Sequence, residues 1–115
     1  MPYIHRTVTV RFTKEGWHNW PEAEGVRDYL ASRHRHLFHY ELTVSVGHND
    51  REIEFHDLLE FASHAAVAGE LGRRSCEDMA EVILNAVRDK YPERTYSCTV
   101  WEDNEVGATI TWEGM

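Results

Sequence analysis

Apolar and polar positions alternate with period two over residues 4–12 and again over residues 36–46. In the first run Ile4, Val8, Val10 and Phe12 share a face broken only by Arg6, and Thr7, Thr9 and Arg11 share the other. In the second, Phe38, Tyr40, Leu42, Val44 and Val46 fall on one face. Successive side chains of a strand point to opposite faces, so both runs predict half-buried strands. From Phe55 the apolar spacing changes to three and four, through Leu58, Leu59, Ala62, Ala65 and Ala66. That spacing predicts a helix, which Gly69 and Gly72 end. A second helix opens at Ser75, with Asp78 placed to return the capping bond, and runs through Met79, Ile83, Ala86 and Val87 to Tyr91 before Pro92. Residues 95–102 and 108–112 predict two more strands, joined by a turn at 103–107.

The segments between are less regular. Gly16, Asn19 and Pro21 predict a loop over residues 13–21, in which Trp17 and Trp20 pack around His18. Residues 21–32 predict one or two helical turns with Val26, Tyr29 and Leu30 facing inward. Gly47-His48-Asn49-Asp50 is a turn, and residues 51–55 pair briefly before the first helix. The order strand, strand, helix, helix, strand, strand (ββααββ) predicts an α+β domain over residues 1–115. Its expected form is a four-stranded antiparallel sheet with both helices on one face. Such a sheet has two open edges, and edge-to-edge assembly into a closed barrel would protect them.

Histidine is the residue type that composition brings forward, with eight in 115 positions. His34 and His36 open the second strand two residues apart, so they project from one face above Phe38. Two imidazoles on one face are two-thirds of a catalytic zinc site, and a third ligand must come from elsewhere in the chain. The net charge of −8 argues against nucleic acid as an electrostatic partner, although Arg33, Arg35, Arg73 and Arg74 supply cations for one small anion. No apolar run approaches a membrane span. The N-terminal Met-Pro-Tyr-Ile-His-Arg lacks an apolar signal core, and two cysteines, Cys76 and Cys98, make no disulfide framework. The expectation is a cytoplasmic protein.

These motifs, in this order, resemble the tunnelling fold and within it the 6-pyruvoyl-tetrahydropterin and 6-carboxytetrahydropterin synthase family. The likeness covers most of the chain. His18 after Phe12, with His34-Arg35-His36 in place of a His-Gly-His, matches that family's zinc ligands. Glu54-Phe55-His56-Asp57-Leu58 resembles its first helix start, and Arg74-Ser75-Cys76-Glu77 stands where the second helix opens. Trp101-Glu102-Asp103 falls at the position whose Glu carries the substrate's pyrimidine ring. A carboxylate there accepts two parallel N–H bonds from the amino-pyrimidinone edge of a pterin or guanine.

The resemblance implies a zinc-dependent carbon–oxygen lyase acting on a dihydropterin triphosphate or related purine-like compound, as in queuosine (preQ0) biosynthesis. It implies His18, His34 and His36 as Zn2+ ligands, and Glu102, Glu77 and Arg35 as substrate contacts. His64 or His39 is the expected general base, and a homo-trimer or homo-hexamer with intersubunit sites the expected assembly. Two departures stand out. The family's catalytic cysteine falls at Leu30, and its Asp-His pair is met only by Ser63-His64. Cys76, at a helix start that would stabilise a thiolate, lies elsewhere in the pattern and is expected to be a small buried residue like Cys98. A non-catalytic pterin- or purine-binding protein of the same fold is the alternative.

Overall fold

The computed structural model describes residues 3–114; Met1 and Pro2 of the N-terminal hexapeptide, and Met115, lie outside it. The chain forms β1 (Arg6–His18), a 3-10 helix (Gly25–Ala31), β2 (His34–Val46), α1 (Phe55–Ala65), β3 (Gly69–Gly72), α2 (Cys76–Lys90), β4 (Tyr96–Glu102) and β5 (Val106–Trp112). The class is α+β, as the pattern predicts, but the sheet is mixed and has five strands in the order β3-β1-β2-β4-β5. The added strand is β3, which pairs parallel to the end of β1, from Gly16 opposite Gly69 to His18 opposite Gly72. Its two glycines read locally as a helix stop. Pairing with β1 across the sheet makes them a strand.

The second correction concerns β1. Residues 13–18 are not a loop; they continue the strand, and the period-two burial persists through half-buried Lys14, buried Gly16 and buried His18. Gly16 belongs in the ladder because nothing larger fits there. A Cβ would stand 2.6 Å from Leu71 Cδ1 and 3.3 Å from Phe38 Cε2. A glycine inside a strand often marks such a close approach. β1 and β2 are therefore a long antiparallel pair, in register from Arg6 opposite Val46 to His18 opposite His34.

One face of this sheet is apolar. Val10, Phe38, Tyr40, Leu42, Val44, Tyr96, Cys98 and Val100 form a single core with Leu58 and Ala62 of α1 and Met79, Ala80, Ile83, Leu84 and Val87 of α2. Burying a Leu or Ile fully contributes about 1.5–3 kcal/mol, so this face holds both helices to the sheet. Glu54 caps α1 by accepting from the Asp57 amide. Ser75 caps α2, accepting from the Asp78 amide while the Asp78 carboxylate accepts from the Ser75 amide. That capping box fixes where α2 begins, at the end of the sheet that carries the histidines.

Of the expected inward face of residues 21–32 only Leu30 is half-buried. Val26 and Tyr29 are 82% and 62% exposed, and the 3-10 helix buries none of its residues. Seven residues with i to i+3 bonding make too short a helix to present a continuous apolar stripe. Among the described residues no helix is long and apolar enough to cross a membrane.

Candidate metal centre

The β1–β2 register assembles the three histidines. His18 stands directly opposite His34, and Gly16 opposite His36, so His18, His34 and His36 lie on the same face at the end of the strand pair. Each offers a ring nitrogen, and the three nitrogens lie within 4.8 Å of one another. The rings meet edge to face, with centroids 4.6 Å apart for His18 and His34 and 4.9 Å for His34 and His36. Phe38 closes the cluster from below, 5.3 Å from His18 and 5.6 Å from His36.

Hydrogen bonds fix which nitrogen each ring presents. His18 Nδ1 is 3.0 Å from the Arg74 carbonyl, and His34 Nδ1 is 2.8 Å from the Ser32 carbonyl. His36 Nδ1 is 2.7 Å from Oδ2 of Asp103. Carbonyl and carboxylate oxygens only accept, so each Nδ1 carries the hydrogen. Each Nε2 then keeps its lone pair for the common centre. Burial is the main cause that pushes His18 below the usual imidazole range, favouring its neutral form. Neutral imidazoles with anchored Nδ1–H groups are the form that ligates metal, so this cluster can hold a metal ion.

Glu102 ends β4 opposite Phe38 and extends over the cluster on the same face. Its Oε2 is 2.9 Å from His36 Nε2, and its Oε1 is 3.8 Å from His18 Nε2. The short approach is off the axis of a hydrogen bond, and His36 Nε2 is a buried nitrogen without a hydrogen-bond partner. A neutral imidazole nitrogen and a carboxylate oxygen this close repel one another.

A turn positions Asp103. Asp103 and Asn104 both take positive φ (51° and 59°), residues whose short polar side chains tolerate that conformation, and the Glu105 amide bonds the Glu102 carbonyl. The turn brings Asp103 back across β2. Its Oδ1 accepts from the Leu37 amide at 2.9 Å while its own amide donates to the Leu37 carbonyl at 2.8 Å. The bond from His36, then that from Leu37, holds the Asp103 carboxyl below its ordinary range.

A cavity of about 440 Å³ opens beside the histidines, lined by His18, His34, Trp20, Leu30, Cys76, Glu77 and Glu102 among others. That volume suits a drug-sized or bicyclic ligand. Leu30 is in this wall, and Glu77 is on it at the first turn of α2.

The remaining expected site residues are elsewhere. His39 lies three positions beyond His36, so it faces the opposite side of the sheet, between Thr13 of β1 and Trp101 of β4. His64 is exposed in the last turn of α1 and does not line the cavity. Arg35 also faces away from the histidines and pairs with Glu15 at 3.1 Å. Trp17 does not pack on His18; it lies on the other face, with the Arg33 guanidinium 4.0 Å above its ring. Arg33 is paired to Glu70 and Arg73 to Glu22, leaving Arg74 as the cavity guanidinium without a carboxylate partner among the described residues.

Asp103 is the site residue that motif reasoning missed, whereas Cys76 is a small buried residue, as expected, at the edge of the cavity wall. The only local signal for Asp103 is its place directly after Glu102. No protein-family model matches this chain, and a search of curated proteins finds no match.

Proposed function

We propose that the chain is a zinc-dependent carbon–oxygen lyase of the tunnelling-fold kind, acting on a dihydropterin triphosphate or a related purine-like compound. The observation that carries this reading is the convergence of three imidazoles whose Nδ1 atoms are all tied to acceptors, beside the Glu102 carboxylate. Three imidazoles suit Zn2+, with a position left open for substrate. Bound zinc would polarise a substrate oxygen and acidify the neighbouring protons.

The protein's own groups divide the remaining work. Glu102 accepts the paired N–H donors of the amino-pyrimidinone edge, and half-exposed Trp20 and Leu30 supply apolar wall for a flat ring. Arg74 offers a cation for phosphate. The pocket opens at the end of the sheet, and the polar face away from the helices, with Thr9, Thr43, Thr99 and Thr109, suits the lining of an assembled barrel. A cytoplasmic homo-oligomer, trimeric or hexameric, with sites between subunits belongs to the same proposal.

Metal content decides first. Protein purified without a histidine tag is expected to carry about one zinc per chain, and His36→Ala to lose it. Zinc-loaded protein is then expected to convert a dihydropterin triphosphate. Absence of metal in both proteins sinks the lyase reading. Zinc and pterin binding without turnover would instead establish the binding-protein alternative, which the substitution of Leu30 for cysteine favours.

A further inference from the structure

Trp20 is the tryptophan on the cavity wall, and it is 51% exposed. The chain fastens it from both sides. Its amide donates to the Leu30 carbonyl at 2.7 Å, and the Ala23 amide donates to the Trp20 carbonyl at 3.0 Å. The second bond closes a turn over Trp20-Pro21-Glu22-Ala23, with the proline where its fixed φ suits a turn and with Ala23 buried. Just before it, the Asn19 amide donates to the Gly72 carbonyl at 2.9 Å, and Asn19 Nδ2 donates to the Ala31 carbonyl at 3.1 Å. The indole is therefore anchored to β3 and to the end of the 3-10 helix.

Packing alone does not account for a tryptophan here. An indole can bury about 150–250 Å², and half of this one is left facing solvent. The other tryptophans have different surroundings. Trp17 carries the Arg33 guanidinium and Trp112 that of Arg88, while Trp101 lies opposite His39 on the far face of the sheet. Among the described residues no cation covers Trp20. The cavity's charged lining is balanced, Arg73 and Arg74 against Glu77 and Glu102, and Arg73 is already paired to Glu22. Such a pocket reads a ring better than it reads an anionic tail.

We propose that Trp20 selects the ligand's ring, stacking on its face while Glu102 takes its edge. The class so selected is a flat, conjugated amino-pyrimidinone bicycle, pterin and guanine alike. The assignment rests on the ring-binding part of the reading above. A carboxylate by itself reads the N–H pair of any amino-pyrimidinone, a single ring included. An aromatic platform adds a preference for the second ring, because dispersion grows with the number of atoms in contact. It is tolerant of which bicycle it holds, because every such ring has a π-face.

The experiment loads wild type, Trp20→Ala, Trp20→Phe and Trp17→Phe with zinc. Each is titrated with neopterin, guanosine and isocytosine, the last carrying the same edge on one ring. Wild type is expected to bind both bicycles at least about tenfold tighter than isocytosine. Trp20→Ala is expected to keep its zinc and to lose about tenfold or more for both bicycles, the scale of a lost stacking surface, but no more than about threefold for isocytosine. Trp20→Phe keeps a flat platform and is expected to bind the bicycles within about threefold of wild type. It also moves a spectroscopic signal. An indole in face contact quenches pterin emission and a phenyl ring does not, so bound neopterin is expected to be dim in wild type and Trp17→Phe and bright in Trp20→Phe. Trp20→Ala binding all three ligands as wild type does, or neopterin equally bright on wild type and Trp20→Phe, overturns this assignment and leaves the ring-binding reading standing. A zinc-loaded wild type that binds neither neopterin nor guanosine overturns both.

Discussion

His36 donates its Nδ1 hydrogen to Oδ2 of Asp103 across 2.7 Å, although 67 positions separate them in sequence. Asp103 is held from the other side by the Leu37 amide at 2.9 Å, so the carboxylate cannot turn away from the ring. A carboxylate behind a ligating imidazole fixes its tautomer and strengthens it as a ligand. Removing such partners typically costs 10–100-fold in metal affinity.

The consequence for Asp103 is specific. Asp103→Asn preserves a residue that tolerates the positive φ of the turn but removes the charge behind His36. Its zinc affinity is expected to fall by about 10–100-fold, measured by titration against a competing chelator, with the melting temperature of the metal-free protein nearly unchanged. Equal zinc affinity in the two proteins would show that the His36–Asp103 bond does not serve a metal.

Glu102 separates metal binding from ligand binding. Its carboxylate is on the cluster but outside the three-histidine group, and it is the acceptor proposed for the pterin edge. Glu102→Gln keeps the shape and exchanges one acceptor oxygen for a donor. The variant is expected to retain zinc while neopterin binding weakens by at least about tenfold, since one charge-assisted bond to a ligand contributes about 1.5–3 kcal/mol. Loss of zinc together with ligand would instead make Glu102 a metal ligand.

The core strand β2, both α-helices and the β4–β5 pair were legible because each is long and keeps one hydrophobic period. The three histidines were legible as a set, because an H-x-H on a strand needs only parity to bring its rings together. That same parity already puts His39 on the opposite face, which a motif-led choice of base overlooked. Other features depend on distant partners. Gly16 and the Gly69–Gly72 strand have the composition of breaks, and only the packing of Leu71 against Gly16 makes them part of the sheet. Asp103 and the Arg74 carbonyl act on His36 and His18 through contacts spanning 67 and 56 positions, beyond any local pattern.

Gly16 tests that packing directly. A methyl at this position meets Leu71, which is fully buried and has little room to yield, and the Phe38 ring beneath the histidines. Gly16→Ala is expected to destabilise the fold by about 1–3 kcal/mol, the usual cost of overpacking a filled site. Thermal denaturation should register a fall of several degrees. Gly69→Ala offers the comparison, because its added Cβ meets nothing within 4 Å and the cost there comes from a φ of 76° alone. A Gly16→Ala protein as stable as wild type, with zinc affinity intact, would refute the close approach of β3.

At the opposite end of the sheet, Glu52 gives the fold a defined pH dependence. Its carboxylate accepts from Arg94 Nη1 and, at 3.0 Å, from the Gly47 amide; Arg94 also donates to the Ser45 carbonyl at 2.9 Å. The bond from Arg94, followed by that from Gly47, holds Glu52 below the usual carboxyl range. A carboxylate with a lower pKa in the folded than in the unfolded chain stabilises the fold above the unfolded value, about 4.3 for Glu. That contribution disappears as pH falls through the folded value. Glu52→Gln is therefore expected to melt below wild type at pH 7, with the gap closing as both are taken down toward pH 3. Melting curves of the two proteins across that range supply the measurement. A gap that stays constant or widens in acid would mean that the Glu52 charge, and so its pairing with Arg94, contributes nothing to the fold.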